Sequence, residues 1–189
     1  YYDDWDVLWA ASDECNMPIS FHTTGLQYRR PLAGDEDSYK WVDYGLSEVL
    51  FQLSGSEFLA SIILSGACDR YPNFKFVLGE CGISWIPYVL ERMDVEYEDR
   101  LFHIELNHSP SAYWYRQGFS TFQHESPGPE IISRIGENNI MWGSDYPHPD
   151  GVWPNSQKVI KDDLGHLKTS TLEKITCTNA KQAYMFSNR

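Results

Sequence analysis

Positive charge is scarce in this sequence. Lys and Arg total 15 against 27 Asp and Glu, a formal charge of −12 over 189 residues. So acidic a chain repels phosphate backbones, which excludes nucleic acid as an expected partner. Clustered cysteines are lacking too. Cys15, Cys68, Cys81 and Cys177 stand far apart without CxxC or zinc-knuckle spacing, so reduced thiols in a cytoplasmic setting are expected rather than a disulfide framework. No apolar run approaches the roughly 18 to 20 residues of a membrane span, and no basic segment leads into an apolar stretch of the export type. A membrane is therefore not an expected partner. Low-complexity tracts and short-period repeats are also absent.

What is present is the composition of a globular protein, 42% hydrophobic and 15% aromatic with 22% charged residues, enough for one core and one domain over residues 1–189. Strand-like and helix-like segments alternate along the whole length, which predicts an α/β fold built on a parallel sheet. The opening, through Glu14, has Val7, Leu8, Ala10 and Ala11 at helical spacing and leads through Asn16 and Pro18 into a strand, Ile19 to His22. A polar loop is predicted from Thr23 to Tyr44, then a long helical region from Leu46 to Ala67 interrupted near Ser54-Gly55-Ser56. Phe74 to Leu78 reads as a strand stopping at Gly79-Glu80-Cys81-Gly82, followed by a helix from Trp85 to Arg100. A weaker strand covers Gly118 to Phe122, a helix Pro129 to Asn138, a strand Ile140 to Trp142, and a closing helix Thr171 to Phe186. Four strand-helix units are too few to close an eight-stranded barrel. A chain that opens at Tyr1 without Met, inside a predicted helix, reads as a fragment or a processed product.

In parallel α/β folds the catalytic groups project from the carboxyl ends of strands, where loops and helix N-termini share one opening. His22, Glu80 and Asp145 meet that rule in the first, second and fourth units. Imidazole and carboxylate suit zinc, manganese or iron, and a carboxylate beside a metal-activated water can take its proton. Each residue has an ordinary reading as well: His22 as a surface residue, Glu80 as a helix cap, Asp145 as a turn former. Their joint placement at equivalent points of three units favours a mononuclear metal site. Trp142, Tyr146 and Trp153 flank Asp145 and read as pocket walls, with His148 at the rim. Trp85, Tyr88, Tyr97, Tyr113, Trp114, Tyr115 and Phe119 read as packing. His103, His108, His124 and His166 read as surface histidines, and Cys81 has no base beside it in sequence to make it a nucleophile.

Four strings carry a more specific signal: Pro18-Ile19-Ser20-Phe21-His22, Asp69-Arg70-Tyr71-Pro72-Asn73-Phe74-Lys75 running into Gly79-Glu80-Cys81-Gly82, Glu91-Arg92-Met93-Asp94, and Met141-Trp142-Gly143-Ser144-Asp145-Tyr146-Pro147-His148. Together they resemble the amidohydrolase-related family, the branch of the amidohydrolase superfamily similar to aminocarboxymuconate-semialdehyde decarboxylase. The resemblance spans essentially the whole chain and implies the second half of a distorted TIM barrel. It implies His22 and Asp145 as metal ligands, with Asp145 also handling the proton of the metal-activated water; from placement rather than resemblance, Glu80 is read as a second catalytic carboxylate and His148, Trp142, Tyr146 and Trp153 as substrate contacts. Glu80 stands where decarboxylase members place a catalytic histidine, and the strand-one ligands of the family, His-x-His or Glu-x-His, have no counterpart in these residues.

The expected activity is metal-dependent hydrolysis of a small organic substrate. The alternatives are non-oxidative decarboxylation of an aromatic or unsaturated acid, and a catalytically silent half-barrel that self-associates or binds a partner. One divalent ion is implied, zinc first and manganese second, held weakly or not at all by two ligands alone. An open half-barrel is further expected to form a homo-oligomer or to pair with the missing half, because its edge strands are unpaired and its inner apolar face would lie bare.

Overall fold

The computed structural model describes residues 3–23, 37–101 and 103–186. The part of the predicted Thr23 to Tyr44 loop between 24 and 36 lies outside the described residues, as do the first two residues of the opening helix. In chain order the elements are α1 (Asp6–Cys15), β1 (Ile19–His22), α2 (Asp37–Leu50), α3 (Gly55–Leu64), α4 (Ala67–Arg70), β2 (Phe76–Gly79), α5 (Ile86–Asp99) and α6 (Pro110–Gln117). They continue with β3 (Gly118–Phe122), α7 (Pro129–Ile135), β4 (Ile140–Trp142), α8 (Ser156–Leu164), α9 (Thr169–Glu173) and α10 (Asn179–Ala183). Prolines sit in the first turns of α5, α6 and α7, where a missing N–H costs nothing.

The four strands form one parallel sheet in the order β1-β2-β3-β4, with Ile19 opposite Phe76, Phe76 opposite Gly118 and Ser120 opposite Ile140. All four carboxyl ends therefore point the same way. Successive side chains alternate between two faces. Phe76, Leu78, Phe122 and Ile140 face the helices and pack with Leu59, Ile63, Ile86, Tyr113 and Trp114 in the larger apolar cluster. Val77, Phe119 and Met141 face the other way and pack with Ala180 and Ala183. The expectation of a bare inner face is corrected at this point: the carboxyl-terminal segment folds back across it and buries those three residues.

Polar side chains fix the connections. The Asp13 carboxylate accepts from the backbone N–H of Asn73 at 2.6 Å and of Phe74 at 2.9 Å, which anchors the turn before β2 to α1. Asp69 accepts from the Tyr113 hydroxyl at 2.6 Å and from Asn107 Nδ2 at 2.8 Å, tying α4 to α6. Asn139 Nδ2 donates to the carbonyls of Trp114 and Gly118 at the start of β3.

Two predicted loops contain helices. The loop ending at Tyr44 gives way to α2, and the polar connection after Asp145 contains α8. Both are amphipathic but neither is largely buried: α8 buries only Leu164, and no position of α2 from 41 to 50 is buried. The helical stretch Trp41–Leu64, formed by α2, a 3₁₀ turn at Phe51–Ser54 and α3, is 24 residues long and apolar enough by length and composition to span a membrane. That amends the expectation of no such run, although Leu59, Ile62 and Ile63 of α3 lie in the protein's core. Of the aromatic residues read as packing, Tyr113, Trp114 and Phe119 are buried, whereas Tyr88 and Tyr115 are exposed.

Candidate functional site

The site begins with backbone. Glu80 directly follows β2 and Asp145 lies three residues beyond β4, and both adopt the left-handed conformation, at φ 56° and 53°. For side chains with a Cβ this conformation costs on the order of 1 kcal/mol and persists only where the surroundings enforce it. The enforcement at Glu80 is visible. Its N–H donates to Thr121 Oγ1 of β3 at 2.7 Å. The turn that follows is held by Glu125, whose carboxylate accepts from the N–H of Ile83 at 2.7 Å and of Ser84 at 2.9 Å, and from the Ser84 hydroxyl. Gly82, at φ +64°, leaves room for this clamp, since a Cβ there would stand 2.6 Å from Glu125 Oε1 and 2.7 Å from Gln52 Oε1.

Asp145 is enforced by its own loop. Its carbonyl accepts from the His148 N–H at 2.8 Å, and Val152 N–H donates to Ser144 O at 2.9 Å. His148 Nδ1 stands 3.2 Å from Asp145 Oδ2, and the Asp145 side chain is only 10% exposed against 63% for His148. Tyr146 and Trp153, both largely exposed, bring their rings to 5.2 Å at 58° across the same loop.

His22 closes the group. A carbonyl oxygen only accepts, so the 2.8 Å contact of His22 Nδ1 with Thr23 O places the ring proton on Nδ1 and leaves Nε2 for other partners. Glu80 Oε2 stands 2.9 Å from that Nε2, with the Glu80 side chain 28% exposed. The His22 pKa is raised above the ordinary imidazole value, chiefly by the Thr23 carbonyl and further by the Glu80 carboxylate and the charge of Asp145, against an opposing desolvation. Asp145 thus acts on His22 although their strands lie at opposite edges of the sheet.

The structure brings His22, Glu80, Asp145 and His148 to one end of the sheet, with Tyr146 and Trp153 beside them. Trp142 it does not. The Trp142 indole packs with the helix-side cluster and donates to Gln123 O at 3.1 Å, on the face away from His22. Cys81 is buried, its thiol pushed up to about 12 by burial and then by the Glu80 charge, and it donates to Gly79 O, so it offers no thiolate. His103, His108, His124 and His166 are exposed. Among the described residues no three His, Cys, Asp or Glu side chains converge closely enough to hold an ion unaided. The donor set that exists, an imidazole with its tautomer fixed by a carbonyl and two carboxylates on enforced turns, is of the kind that suits a divalent cation.

Sequence reasoning missed Thr121 and Glu125. Glu125 lies just past the end of β3, so the strand-end rule applied to the third unit would have reached it; no local signal marks Thr121. The hollow lined by Ile132, Gly136, Glu137, His166 and Thr171 lies near the opposite end of β4 and is no part of this group.

The family model described as amidohydrolase matches residues 2–186. No curated protein matches the chain. Among solved structures it is similar to 5-carboxyvanillate decarboxylase LigW from Sphingomonas paucimobilis, at 21% identity, TM-score 0.73, over 95% of this chain and 52% of that one. A proposed amidohydrolase from Staphylococcus aureus shares 25% identity at TM-score 0.74, over 98% of this chain and 60% of that one. Dihydroxybenzoic acid decarboxylase from Polaromonas sp. JS666, solved with bound manganese and 2-nitroresorcinol, shares 18% at TM-score 0.69, over 100% of this chain and 55% of that one. The chain thus spans roughly half the length of these structures, and its four parallel strands match half of a barrel of that fold.

Proposed function

The chain belongs to the amidohydrolase family, and from that premise we propose that its strand ends form part of a divalent-metal centre that hydrolyses a small, uncharged acyl compound. The observation that carries the reading is the contact of His22 Nε2 with Glu80, with Asp145 close enough to act on the same ring. His22 and Asp145 are the ligands this chain would supply. When bound, the ion supplies Lewis-acid polarisation of a substrate carbonyl and acidifies water. Thr23 O keeps His22 in the tautomer that presents Nε2. Asp145 and Glu80 are the two proton acceptors, each held by the hydrogen bonds described above. Tyr146 and Trp153 offer flat apolar surface at the mouth, and exposed His148 a hydrogen-bonding group. The four cysteines are unpaired, which suits the reducing cytoplasm.

A decarboxylase is the second reading, supported by the names of the similar structures. Two carboxylates at the site disfavour a carboxylate substrate, and Glu80 cannot donate the hydrogen bond that an imidazolium would give it. The open edges of β1 and β4 support association with a second copy or with the remainder of a barrel.

The test is a paired screen of manganese-supplemented protein against neutral esters, lactones and amides on one side and hydroxybenzoates on the other. Turnover of neutral acyl compounds that falls on the order of 10²-fold in Glu80→Gln supports the hydrolase. Carbon dioxide release from the acids overturns it in favour of the decarboxylase. Turnover of neither leaves the silent half-barrel.

A further inference from the structure

Helix α2 stands nearly bare. It is 14 residues long, and none of its positions from 41 to 50 is buried. A helix of that length is marginal in water by itself, because most helical stability comes from packing an apolar face. Such a face is present. Val42, Leu46 and Val49 follow at steps of four and three, within about 60° of the helix circumference, and Leu53 in the 3₁₀ turn continues the row by a further step of four. This is the spacing of a seam between two helices. With Trp41 beside the row, these side chains are 41% to 76% exposed, and together they leave on the order of 500 Å² of apolar surface uncovered. A standard interface covers about 800 Å² on each partner, of which about 60% is apolar, so the row supplies the apolar part of one side. Gly45 lies next to it with open space where a Cβ would stand, which lets a second backbone approach closely. Two chains of charge −12 repel each other, so they can meet only over a patch free of charge. The row is such a patch, with Asp43 and Glu48 lying to either side of it.

We propose that α2 is the surface through which two copies of this chain pair, the row Val42, Leu46, Val49 and Leu53 of one copy packing on the same row of the other across a twofold axis. The contact is self-complementary, so it closes at two copies and leaves no half of it exposed to recruit a third. It places the association on a helix rather than on the open edges of β1 and β4. The hydrolase reading does not depend on it.

The test combines sedimentation with cross-linking, folding being checked by circular dichroism. The parent is expected to sediment as a dimer with a dissociation constant on the order of 1–10 µM, and Leu46→Glu, which would bury an unpaired charge, to weaken it by about tenfold or more. For cross-linking, the exposed Cys15 and Cys177 are first changed to Ser. In that background Val49→Cys is expected to be joined into a dimer by a short bismaleimide, while Tyr88→Cys, on exposed ground of α5, is not. A parent that is monomeric at about 100 µM overturns the proposal. So does a dimer that persists in folded Leu46→Glu, which would assign the contact to the strand edges, and so does association seen only when lipid vesicles are added. Equal cross-linking at positions 49 and 88 overturns it as well. Should Leu46→Glu fail to fold, the cross-link decides: a Val49→Cys dimer without a Tyr88→Cys dimer supports the pairing, and no dimer at position 49 overturns it.

Discussion

Glu80 combines a strand-end carboxylate with a left-handed backbone, and the two can be separated by mutation. Glu80→Gly removes the carboxylate and relieves the conformation, while Glu80→Val removes the carboxylate and adds a branched Cβ at φ 56°. The glycine variant is expected to match the parent in urea unfolding, relief of strain offsetting the entropy of glycine in the unfolded chain. The valine variant should lose about 1–2 kcal/mol. Equal losses would mean that the turn is not strained. His22, Glu80 and Asp145 were legible in the sequence because each polar residue interrupts or follows an apolar strand at its carboxyl end. Thr121 was not, because what it does is accept a hydrogen bond from a neighbouring unit some forty residues earlier in sequence, and no local pattern records that. Trp142 was misplaced for another reason: its flanking Gly143 and Ser144 carry no alternation from which to tell which face a three-residue strand turns inward.

Among the elements, α9 and the π-helical segment Lys174–Thr178 that follows it are held to the turn before β4 by one carboxylate. Glu137 accepts from Thr171 Oγ1 at 2.7 Å and from Lys174 Nζ at 2.5 Å. Those hydrogen bonds, Lys174 first, hold its carboxyl below the ordinary value of 4.5. A lowered carboxylate pKa contributes stability that is complete above the unfolded value and vanishes as pH falls through the folded one. Glu137→Gln should therefore be less stable than the parent near pH 7 and no different at a pH below the folded pKa. With the Glu137 side chain 39% exposed, the difference should stay under about 1 kcal/mol. A difference independent of pH in thermal unfolding would assign the effect to packing instead. The strands were legible as elements because each is an apolar run bounded by turn residues. The part of α2 before Leu46 and all of α8 were not, since Val42 is exposed and α8 buries only Leu164, so neither pattern has a core to answer to.

At the scale of the molecule, β1 pairs only with β2 and β4 only with β3 among the described residues. Val42, Leu46, Val49 and Leu53 form an exposed apolar stripe along the α2 side. Sedimentation at micromolar concentration is expected to show dimers or larger species, and Val49→Glu should shift them toward the monomer. A parent that sediments as a monomer would show that edges and stripe are tolerated bare. The sequence pattern reached the parallel sheet and a closing helix that turns Ala180 and Ala183 inward, but not which face of the sheet that helix covers, because periodicity marks the buried side of a helix and not its partner. The sheet order also dictates a sequence of events in folding. Each strand pairs with its neighbour in the chain, and the loop to be closed shortens from Ile19↔Phe76 through Phe76↔Gly118 to Ser120↔Ile140. Closing the shortest loop is cheaper than closing the longest by about 1 kcal/mol, so β3 and β4 should acquire amide protection first in pulse-labelling exchange and β1 last. Protection of β1 ahead of β4 would refute that order. His22 rides on β1, so the imidazole reaches Glu80 only in the last step, and a chain stalled short of it would be largely folded yet without the His22–Glu80 contact.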